Sequence, residues 1–416
     1  MTEKLVIVGN GMAPGRMLEH LLESAPGRYR VTIFNAEPRV NYDRIMLSPV
    51  LSGEKAYEQI IIHGDGWYIR HGITLYKGHK VVAIDRAAKT VTSDHRVIES
   101  YDKLVIATGS LPIVLPVPGH GLPGVLAYRD LDDVNAMLLA AQSTAKAVVI
   151  GGGLLGLEAA AGLKARGTDV TVLHLMPTLM ERQLDSAAGE LLKSAVESRG
   201  IKVLTEASTK AILGSAKVEG VELADGTTIP ATLIVMAIGI RPNVELAKAA
   251  GLAVGRGILV DAAMQTSDPD ILALGECAET GGRVYGLVAP LYEMARVAAA
   301  RLAGDDTARF NHSDTPTRLK VTGIELFALG DFAEGQDRDD IVLRDPDAGI
   351  YKRVILRHGR IIGTVLFGET ADGAWFHDLK QKSVDVSKMR DTLIFGRAFQ
   401  DGAPLDSDAG CRGLAA

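Results

Sequence analysis

Cysteine is nearly absent from this sequence. The 416 residues include only Cys277 and Cys411, too few for a small secreted protein held together by disulfides. For the same reason the chain cannot build an iron–sulfur cluster or a cysteine-rich zinc site from its own thiols. Residues 1–276 contain no cysteine at all. This excludes a relay of electrons to a thiol pair within that stretch.

An excess of basic residues and long apolar runs are lacking too. There are 45 Lys and Arg against 51 Asp and Glu, a net charge of −6, so nothing favours a nucleic-acid partner. The longest mainly apolar stretch, Ala147 to Leu163, carries Glu158 and several glycines and falls short of the ~20 apolar residues that a bilayer requires. The N-terminal apolar run stops at Gly9 without the features of a secretory signal. We therefore expect a cytoplasmic protein without a membrane partner.

Aromatic residues are few, at 5%, whereas glycine is plentiful, with 45 residues. Glycines without a collagen period indicate tight turns beside ligands. Two of these turns share one context, a short apolar run before the turn and a helix pattern followed by a second apolar run after it. They begin at Gly9 and Gly151. The sequence therefore predicts two copies of a strand–turn–helix–strand unit.

The spacing within these turns is typical of dinucleotide binding. There, the first glycine permits a sharp bend, the second lets the backbone approach a pyrophosphate, and the third allows close helix packing. The second turn, Gly151-x-Gly153-x-x-Gly156, satisfies all three spacings. The first turn departs from them, because Pro14 takes the third place and Gly15 comes one residue late. Since proline suits a first helical turn, we expect the anion site to survive with altered helix packing.

A carboxylate follows the second strand of the first unit but not that of the second. Glu37 comes about 20 residues after the first turn, where an acid accepts hydrogen bonds from the ribose hydroxyls; a solvated loop residue is the alternative reading. In the second unit the strand ends at His174, with no acid and no adjacent arginine for a 2′-phosphate. The basic residue nearest to it, Arg182, is as easily a surface charge. Neither nicotinamide dinucleotide is specified, and we favour NADH.

Two further strands end in Ala-x-Gly, Ala107-Thr108-Gly109 and Ala237-Ile238-Gly239, where the backbone can approach a ligand closely. Prolines at 112, 116 and 118 indicate a linker between the two halves. A helix is predicted to begin at Pro290.

The pattern changes to alternating strands from about Arg318. Strands are predicted at 319–323, 324–329, 351–357 and 361–367, followed by a helix at 374–389. These elements indicate a separate α+β domain with its own core. The last residues, 401–416, are predicted to fray.

The two turns, the two Ala-x-Gly strands and Gly275-Glu276-Cys277 together resemble the flavoprotein reductases with two dinucleotide-binding domains. The resemblance implies an α/β fold with two Rossmann-like domains, for FAD and NAD(P)H, plus a C-terminal α+β interface domain. The implied boundaries are 1–113 and 244–317 for the discontinuous FAD domain, 114–243 for the NAD(P)H domain, 318–400 for the C-terminal domain and 401–416 for a flexible tail.

The resemblance also implies roles for individual residues. Glu276 stands where the family places an acid, usually Asp, that holds the ribitol chain of FAD. Glu158 is placed near nicotinamide and flavin, and Arg44 at the FAD phosphates or over the flavin, so these two are the candidate catalytic residues. The alternatives are a first-turn acid that complements the helix dipole for Glu158 and a surface charge for Arg44. Cys277 is expected to be a small buried residue.

The predicted cofactor-binding residues are Gly9, Gly11, Met12, Ala13, Glu37, Arg44, Val81, Ala107, Thr108, Gly109, Gly151, Gly153, Leu155, Gly156, His174, Gly239, Glu276, Ala289 and Pro290. We predict no metal site.

Several stretches are similar to the flavin-binding part of bacterial NAD(P)H nitrite reductase large subunits and to the electron-transfer subunits of assimilatory nitrate reductase. They are Gly9-Asn10-Gly11-Met12, Tyr42-Asp43-Arg44 with Leu47-Ser48, the run from Leu179 to Asp185, and the run from Tyr285 to Pro290. The resemblance implies an FAD-dependent NAD(P)H oxidoreductase that passes electrons to an iron–sulfur or haem protein, such as the catalytic subunit of a nitrate or nitrite reductase. Because this chain has so few cysteines, we expect the metal chemistry to reside in that acceptor.

Two alternatives remain open. The first is a general ferredoxin or rubredoxin reductase, although related reductases often have a lysine soon after the Leu-Ser pair, and here Pro49 follows. The second is a flavin-bound regulatory or assembly protein without steady turnover. The oligomeric state is not specified by the sequence.

Overall fold

The computed structural model describes residues 2–143, 146–311, 316–321, 323–333 and 335–400. The predicted flexible tail, 401–416, lies outside the described residues. The chain divides into two compact units. The first unit comprises Met1–Gly151, Ala159–Val170 and Thr209–His312, and the second Gly152–Glu158, Thr171–Ser208 and Ser313–Ala416.

The strands and α-helices of the described residues are numbered in chain order, strands first and helices second. The strands are β1 (Glu3–Val8), β2 (Tyr29–Asn35), β3 (Asn41–Tyr42), β4 (Ile61–His63), β5 (Thr74–Lys77), β6 (Val81–Asp85), β7 (Thr90–Ser93), β8 (Ile98–Ser100), β9 (Lys103–Ile106), β10 (Ser110–Pro112), β11 (Val125–Ala127), β12 (Lys146–Ile150), β13 (Asp169–Leu173), β14 (Lys202–Leu204), β15 (Thr209–Leu213), β16 (Gly220–Leu223), β17 (Thr228–Pro230), β18 (Leu233–Met236), β19 (Ile240–Pro242), β20 (Ile258–Leu259), β21 (Ile271–Ala273), β22 (Ala278–Thr280), β23 (Arg283–Val284), β24 (Thr317–Val321), β25 (Ile324–Gly330), β26 (Asp339–Asp345), β27 (Ile350–Arg357) and β28 (Arg360–Phe367). The α-helices are α1 (Met12–Ser24), α2 (Leu47–Ser52), α3 (Asp65–Arg70), α4 (Leu131–Ala141), α5 (Leu154–Ala165), α6 (Ser186–Glu197), α7 (Glu245–Ala249), α8 (Val288–Ala303), α9 (Gly373–Gln381) and α10 (Arg397–Gln400).

A parallel five-stranded sheet, in the order β21-β9-β1-β2-β5, organises the first unit. In its central strand β1, the residues from Leu5 to Val8 form an apolar, buried run, as expected where both faces of a sheet are covered. Leu5 and Ile7 pack with α1 and α8 on one face, whereas Val6 and Val8 pack on the other face, with residues of the antiparallel sheet β6-β7-β8. The carboxyl ends of these strands therefore meet at one edge, where open α/β sheets bind ligands.

Helix α1 starts earlier than the periodicity predicts. Its pattern is clear only from Arg16, but the helix begins at Met12, directly after Gly11. Pro14 fits inside the first turn because the backbone N–H groups there lack intrahelical partners in any case.

The strands of the second glycine-turn region are divided between the units. In the first unit, β18 pairs in parallel with β11 and β12, and β15-β16-β17 form an antiparallel sheet. The prolines expected to mark a linker include Pro112, which lies in β10 and pairs with β19. In the second unit, β13 pairs in parallel with β14.

An antiparallel sheet, β24-β25-β28-β27-β26, carries the rest of the second unit. Phe327, Val354 and Phe376 belong to its core, with α9 packed on the sheet. Strand β26 was missed by the sequence prediction because it is a charged edge strand, the usual protection against edge-to-edge pairing. The prediction of a helix at 374–389 is wrong about where the helix ends. It stops at Gln381, and a separate 3₁₀ turn spans Ser387–Met389, because Ser383 adopts a left-handed conformation at φ +49°.

Among the helices of the described residues, none has the length and apolar character needed to cross a membrane.

Candidate functional site

The first glycine turn combines one forced backbone conformation with one open surface. Gly9 has φ +113°, and a Cβ on it would lie 2.1 Å from the carbonyl oxygen of Ala107. Gly11 precedes the first residue of α1, and a Cβ on it would meet no described atom within 4 Å. The turn therefore leaves space at a helix N-terminus, which is the arrangement that accepts a pyrophosphate.

Asn41 supports this turn, and Asn10 lies within it; neither was predicted as a site residue. Asn41 Nδ2 donates to the carbonyl oxygens of Asn10, at 2.8 Å, and Gly11, at 2.7 Å. A Cβ on Gly15 would lie 3.1 Å from the Asn41 amide. In the motif the third glycine allows close packing. Here Gly15, one residue later, allows such packing against the Asn41 side chain. The buried Asn10 Nδ2 has no hydrogen-bond partner among the described residues, so it is an available donor at the turn.

Glu37 lies in a polar cluster at the end of β2. Tyr42 donates its hydroxyl proton to Glu37 Oε2 at 2.8 Å, and Arg44 forms an ion pair with Oε1. Burial raises the pKa of Tyr42, which keeps this donor protonated. Arg39, also not predicted, has a buried Nη1 without a hydrogen-bond partner among the described residues. Arg39 also pairs with Asp132. The cluster combines an acid that can accept from hydroxyls with two guanidinium groups that can balance phosphate charge, and this chemistry fits the ribose and pyrophosphate of FAD.

Glu276 is joined to the same region through an arginine that the sequence analysis missed. Glu276 Oε2 accepts a hydrogen bond from Ser110 Oγ at 2.7 Å and pairs with Arg129. The carbonyl oxygen of Arg129 accepts from Arg44 Nη1 at 3.2 Å. The structure thus connects Arg44 to both acids, Glu37 and Glu276.

The other predicted contacts in the first unit lie at strand ends or helix starts. Ala107 N donates to Val8 O at 2.8 Å, and Thr108 Oγ1 donates to Asn243 O at 2.7 Å. Gly109 has φ +66°. The remaining residues are Met12 and Ala13 in the first turn of α1, Val81 buried in β6, and the exposed Ala289 and buried Pro290 in the first turn of α8. Helix α8 begins at Val288, two residues before the predicted start.

The second glycine turn repeats the pattern of the first. Gly151 has φ +123°, and a Cβ on it would lie 2.3 Å from Ala237 O. A Cβ on Gly153 would find no described atom within 4 Å. Gly156 is buried, Leu155 is exposed, and Gly239 has φ +122°. This turn therefore also leaves open backbone at the start of a helix, α5.

His174, one of the predicted cofactor-binding residues, follows β13 and contacts the second glycine turn. Its ring is buried, Nδ1 accepts from the backbone N–H of Gly152 at 3.1 Å, and Nε2 lies 3.0 Å from Thr178 O and 3.1 Å from Glu181 Oε2. A Cβ on Gly152 would lie 2.7 Å from His174 Cγ. Both ring nitrogens are thus used within the protein, and the ring supports the turn.

Glu158 and Cys277 are the last two residues to which the sequence analysis assigned a role. Glu158 is half-buried and is the fifth residue of α5, beyond the first turn, so it is not the first-turn acid of the alternative reading. Cys277 is fully buried, and burial raises the pKa of its thiol. A protonated, inaccessible thiol is unreactive, in keeping with the expected packing role.

Sequence comparison places these features in a family. The profile described as "Pyridine nucleotide-disulphide oxidoreductase" matches residues 3–301. The chain belongs to this family. A second profile, "Rubredoxin NAD+ reductase C-terminal domain", matches residues 316–384. The predicted fold class, oxidoreductase class and use of FAD and NAD(P)H are thereby confirmed.

The relatives include two proteins of Bacillus subtilis strain 168. The chain is 46% identical over 408 residues to "Nitrite reductase [NAD(P)H]", covering 98% of this chain and 50% of that protein. It is 42% identical over 388 residues to "Assimilatory nitrate reductase electron transfer subunit", covering 93% and 50%. The chain thus spans about half the length of these relatives. The predicted resemblance to this group is confirmed.

A solved structure shares the fold across most of the chain. The crystal structure of a covalent putidaredoxin reductase–putidaredoxin complex matches with a TM-score of 0.82 and 27% identity, covering 92% of this chain and 94% of that one.

Proposed function

We propose that this chain passes electrons from NADH or NADPH through bound FAD to a metal-containing acceptor protein in assimilatory nitrate or nitrite reduction. The observation that carries the proposal is the pair of open glycine turns, at Gly11 and Gly153. The second support is the similarity, along nearly the whole chain, to nitrite and nitrate reductase proteins.

The proposal assigns the residues to three domains. Residues 1–113 and 244–317 bind FAD, residues 114–243 bind NAD(P)H, and residues 318–400 form the interface domain. When bound, FAD supplies the redox chemistry, accepting a hydride and releasing electrons. The work of the chain is to position and charge-balance the two dinucleotides.

Named side chains divide this work. The turn at Gly9 and Gly11 receives the FAD pyrophosphate on the N-terminus of α1. Glu37 accepts hydrogen bonds from the ribose hydroxyls, Arg39 and Arg44 balance the phosphates, and Glu276 holds the ribitol hydroxyls. Glu158 is assigned to the nicotinamide end of the second dinucleotide. No side chain acts as a nucleophile.

The acceptor that we propose is an iron–sulfur protein. The match of residues 316–384 to a rubredoxin NAD+ reductase domain supports this choice. So does the solved reductase–putidaredoxin complex with the same fold. The catalytic subunit of a nitrate or nitrite reductase, carrying an iron–sulfur or haem centre, is the acceptor that the proposal favours.

A general ferredoxin or rubredoxin reductase is the second candidate function, and the same two observations favour it. A flavin-bound regulatory or assembly protein is the third. The three candidate functions predict different rates of flavin reduction by NADH and of electron transfer to the acceptor, and both rates can be measured.

The first experiment reduces the FAD-loaded protein with NADH in an anaerobic stopped-flow instrument. We expect the yellow flavin absorbance to bleach within the time of a catalytic turnover, on the order of 0.1 s at a median turnover number of about 10 s⁻¹. Bleaching slower than any plausible turnover would leave only the regulatory reading.

The second experiment offers the reduced protein a nitrate or nitrite reductase catalytic subunit and, separately, rubredoxin. We expect faster oxidation by the former. Fast reduction of rubredoxin with none of the catalytic subunit would reverse the order of the first two candidates.

A further inference from the structure

In the second strand–turn–helix–strand unit, no acid follows the end of strand β13, where the ribose of the second dinucleotide would bind. Dinucleotide-binding units place an Asp or Glu there to accept hydrogen bonds from the adenosine ribose. In this chain β13 is followed by His174. Because Nδ1 of His174 accepts from Gly152 N–H, it carries no proton, and the ring proton is on Nε2, which donates to Thr178 O and Glu181 Oε2. A neutral, buried ring with both nitrogens engaged has no group left for a ribose.

The loop that follows β13 brings a different acid back to this strand end. Met180 N–H donates to Gly152 O at 3.1 Å, and Met180 is buried in a left-handed conformation at φ +54°. The tight turn continues with Gln183 N–H donating to Met180 O at 2.8 Å. Met180 is therefore fastened to the glycine turn, and the next residue, Glu181, is held beside it.

Glu181 has the exposure and the neighbours of a ligand-binding carboxylate. Its Oε2 lies 3.1 Å from Nε2 of His174, and its side chain is 32% exposed. His174 thus orients the acid from the protein side while the acid stays open to solvent. A carboxylate in this place accepts hydrogen bonds from ribose hydroxyls and repels a 2′-phosphate.

We infer that Glu181 is the ribose-binding residue of the second dinucleotide site and that it selects NADH over NADPH, with His174 as its positioning residue. This inference rests on the proposed function. The exposed Arg182 next to it is the competing determinant, since an arginine favours the 2′-phosphate.

The test measures binding to the FAD-loaded protein by isothermal titration calorimetry, with NAD⁺ and NADP⁺ as separate ligands. Glu181→Gln keeps the size of the side chain and removes its charge. We expect it to raise the dissociation constant for NAD⁺ about tenfold, the effect of losing one charge-assisted hydrogen bond. We expect NADP⁺ to bind the variant as well as or better than the wild type, because the repulsion is gone. Glu181→Asp, which keeps the charge, is expected to retain the preference for NAD⁺.

Two variants serve as controls. Glu190→Gln removes an exposed charge from α6 of the same unit, and Arg182→Gln removes the competing cation. We expect both to keep the wild-type ratio of the two dissociation constants. The thermal midpoint of each variant shows that it is folded.

Three results would overturn the inference. An unchanged ratio in Glu181→Gln, with NADH still bleaching the flavin, refutes the role of Glu181 and leaves the proposed function intact. Selective loss of NADP⁺ binding in Arg182→Gln shows that the site selects NADPH. A wild-type protein that holds FAD but binds neither dinucleotide refutes this inference and the proposed function together.

Discussion

Glycines at equivalent places in a motif do different physical work. Gly9 is required by the backbone, since its φ is +113° and a Cβ would collide with Ala107 O. Gly11 has no such constraint. Because it lacks a side chain, the space beside its backbone stays open for a ligand. Substitution at Gly9 therefore tests folding, whereas substitution at Gly11 tests ligand approach.

Gly11→Val is expected to abolish FAD binding and leave the protein folded. The branched side chain occupies the space that the pyrophosphate needs, while no described atom within 4 Å opposes its Cβ. The measurement is the flavin absorbance of the purified protein, alongside its thermal midpoint. Gly121→Val is the matched control, because Gly121 is also open and lies outside the predicted site. A yellow Gly11→Val protein with full flavin content would show that the turn is misassigned.

At the scale of elements, a histidine joins a hairpin to a helix. His63 ends β4, its Nε2 lies 2.8 Å from Glu19 Oε1 on α1, and its ring stacks on Trp67 at 4.0 Å between centroids. Its buried Nδ1 has no hydrogen-bond partner among the described residues. A second proton on the ring would be buried without an acceptor. Burial accordingly lowers the pKa of His63, although the contact with Glu19 opposes this shift.

This lowered pKa predicts a pH-dependent contribution to stability. The unfolded chain takes up the proton first, near pH 6.5, so the contribution is present above about pH 6.5 and is lost as the pH falls through the lower folded value. We expect the difference in thermal midpoint between the wild type and His63→Gln to be larger at about pH 7.5 than at about pH 5.

The control is Leu139→Gln, which exchanges one exposed, uncharged side chain for another and should change the midpoint equally at the two pH values. A constant gap between the wild type and His63→Gln would refute the assignment.

At the scale of the whole molecule, segments far apart in sequence meet in one buried network of the second unit. Asp185 caps α6 through Ala188 N–H, at 3.0 Å, and accepts at Oδ2 from Tyr351 OH at 2.7 Å and from Arg353 Nη1 at 3.0 Å. The Asp185 and Arg353 side chains are 8% and 9% exposed. The loop with His174 and Glu181 is therefore anchored, at its end, to the C-terminal sheet.

Asp185→Asn is expected to lower the free energy of unfolding by roughly 2 kcal/mol, because the hydrogen bonds from Tyr351 and Arg353 lose their charged acceptor. Arg353 keeps its ion pair with Asp340, and the helix cap is retained. Urea unfolding measures this change. Asp347→Asn, at an exposed turn of the same unit, should stay within about 0.5 kcal/mol of the wild type.

A double-mutant cycle of Asp185→Asn with Tyr351→Phe is expected to show coupling, since the Tyr351 hydroxyl donates directly to the Asp185 carboxylate. Additive losses would mean that the hydrogen bond between them contributes nothing.

The sequence by itself determined the two glycine-turn units, the family and the cofactor class. These three properties depend on local constraints, such as the bend at Gly9 or the apolar run in β1. Each constraint is set by residues that are neighbours in the sequence. It also indicated Glu37 as the acid that follows the second strand of the first unit, because a fixed interval after the turn sets that position.

Only the tertiary structure decided which side chains complete the sites. Arg129 meets Glu276 across 147 positions of the chain, and Asn41 donates to the Gly11 carbonyl oxygen from 30 positions away. The ring of His174 contacts both Gly152 and Glu181, and Met180 holds the intervening loop to Gly152. Hydrogen bonds of this kind join residues without any periodic signal between them, so they emerge only when the strands and loops are packed together.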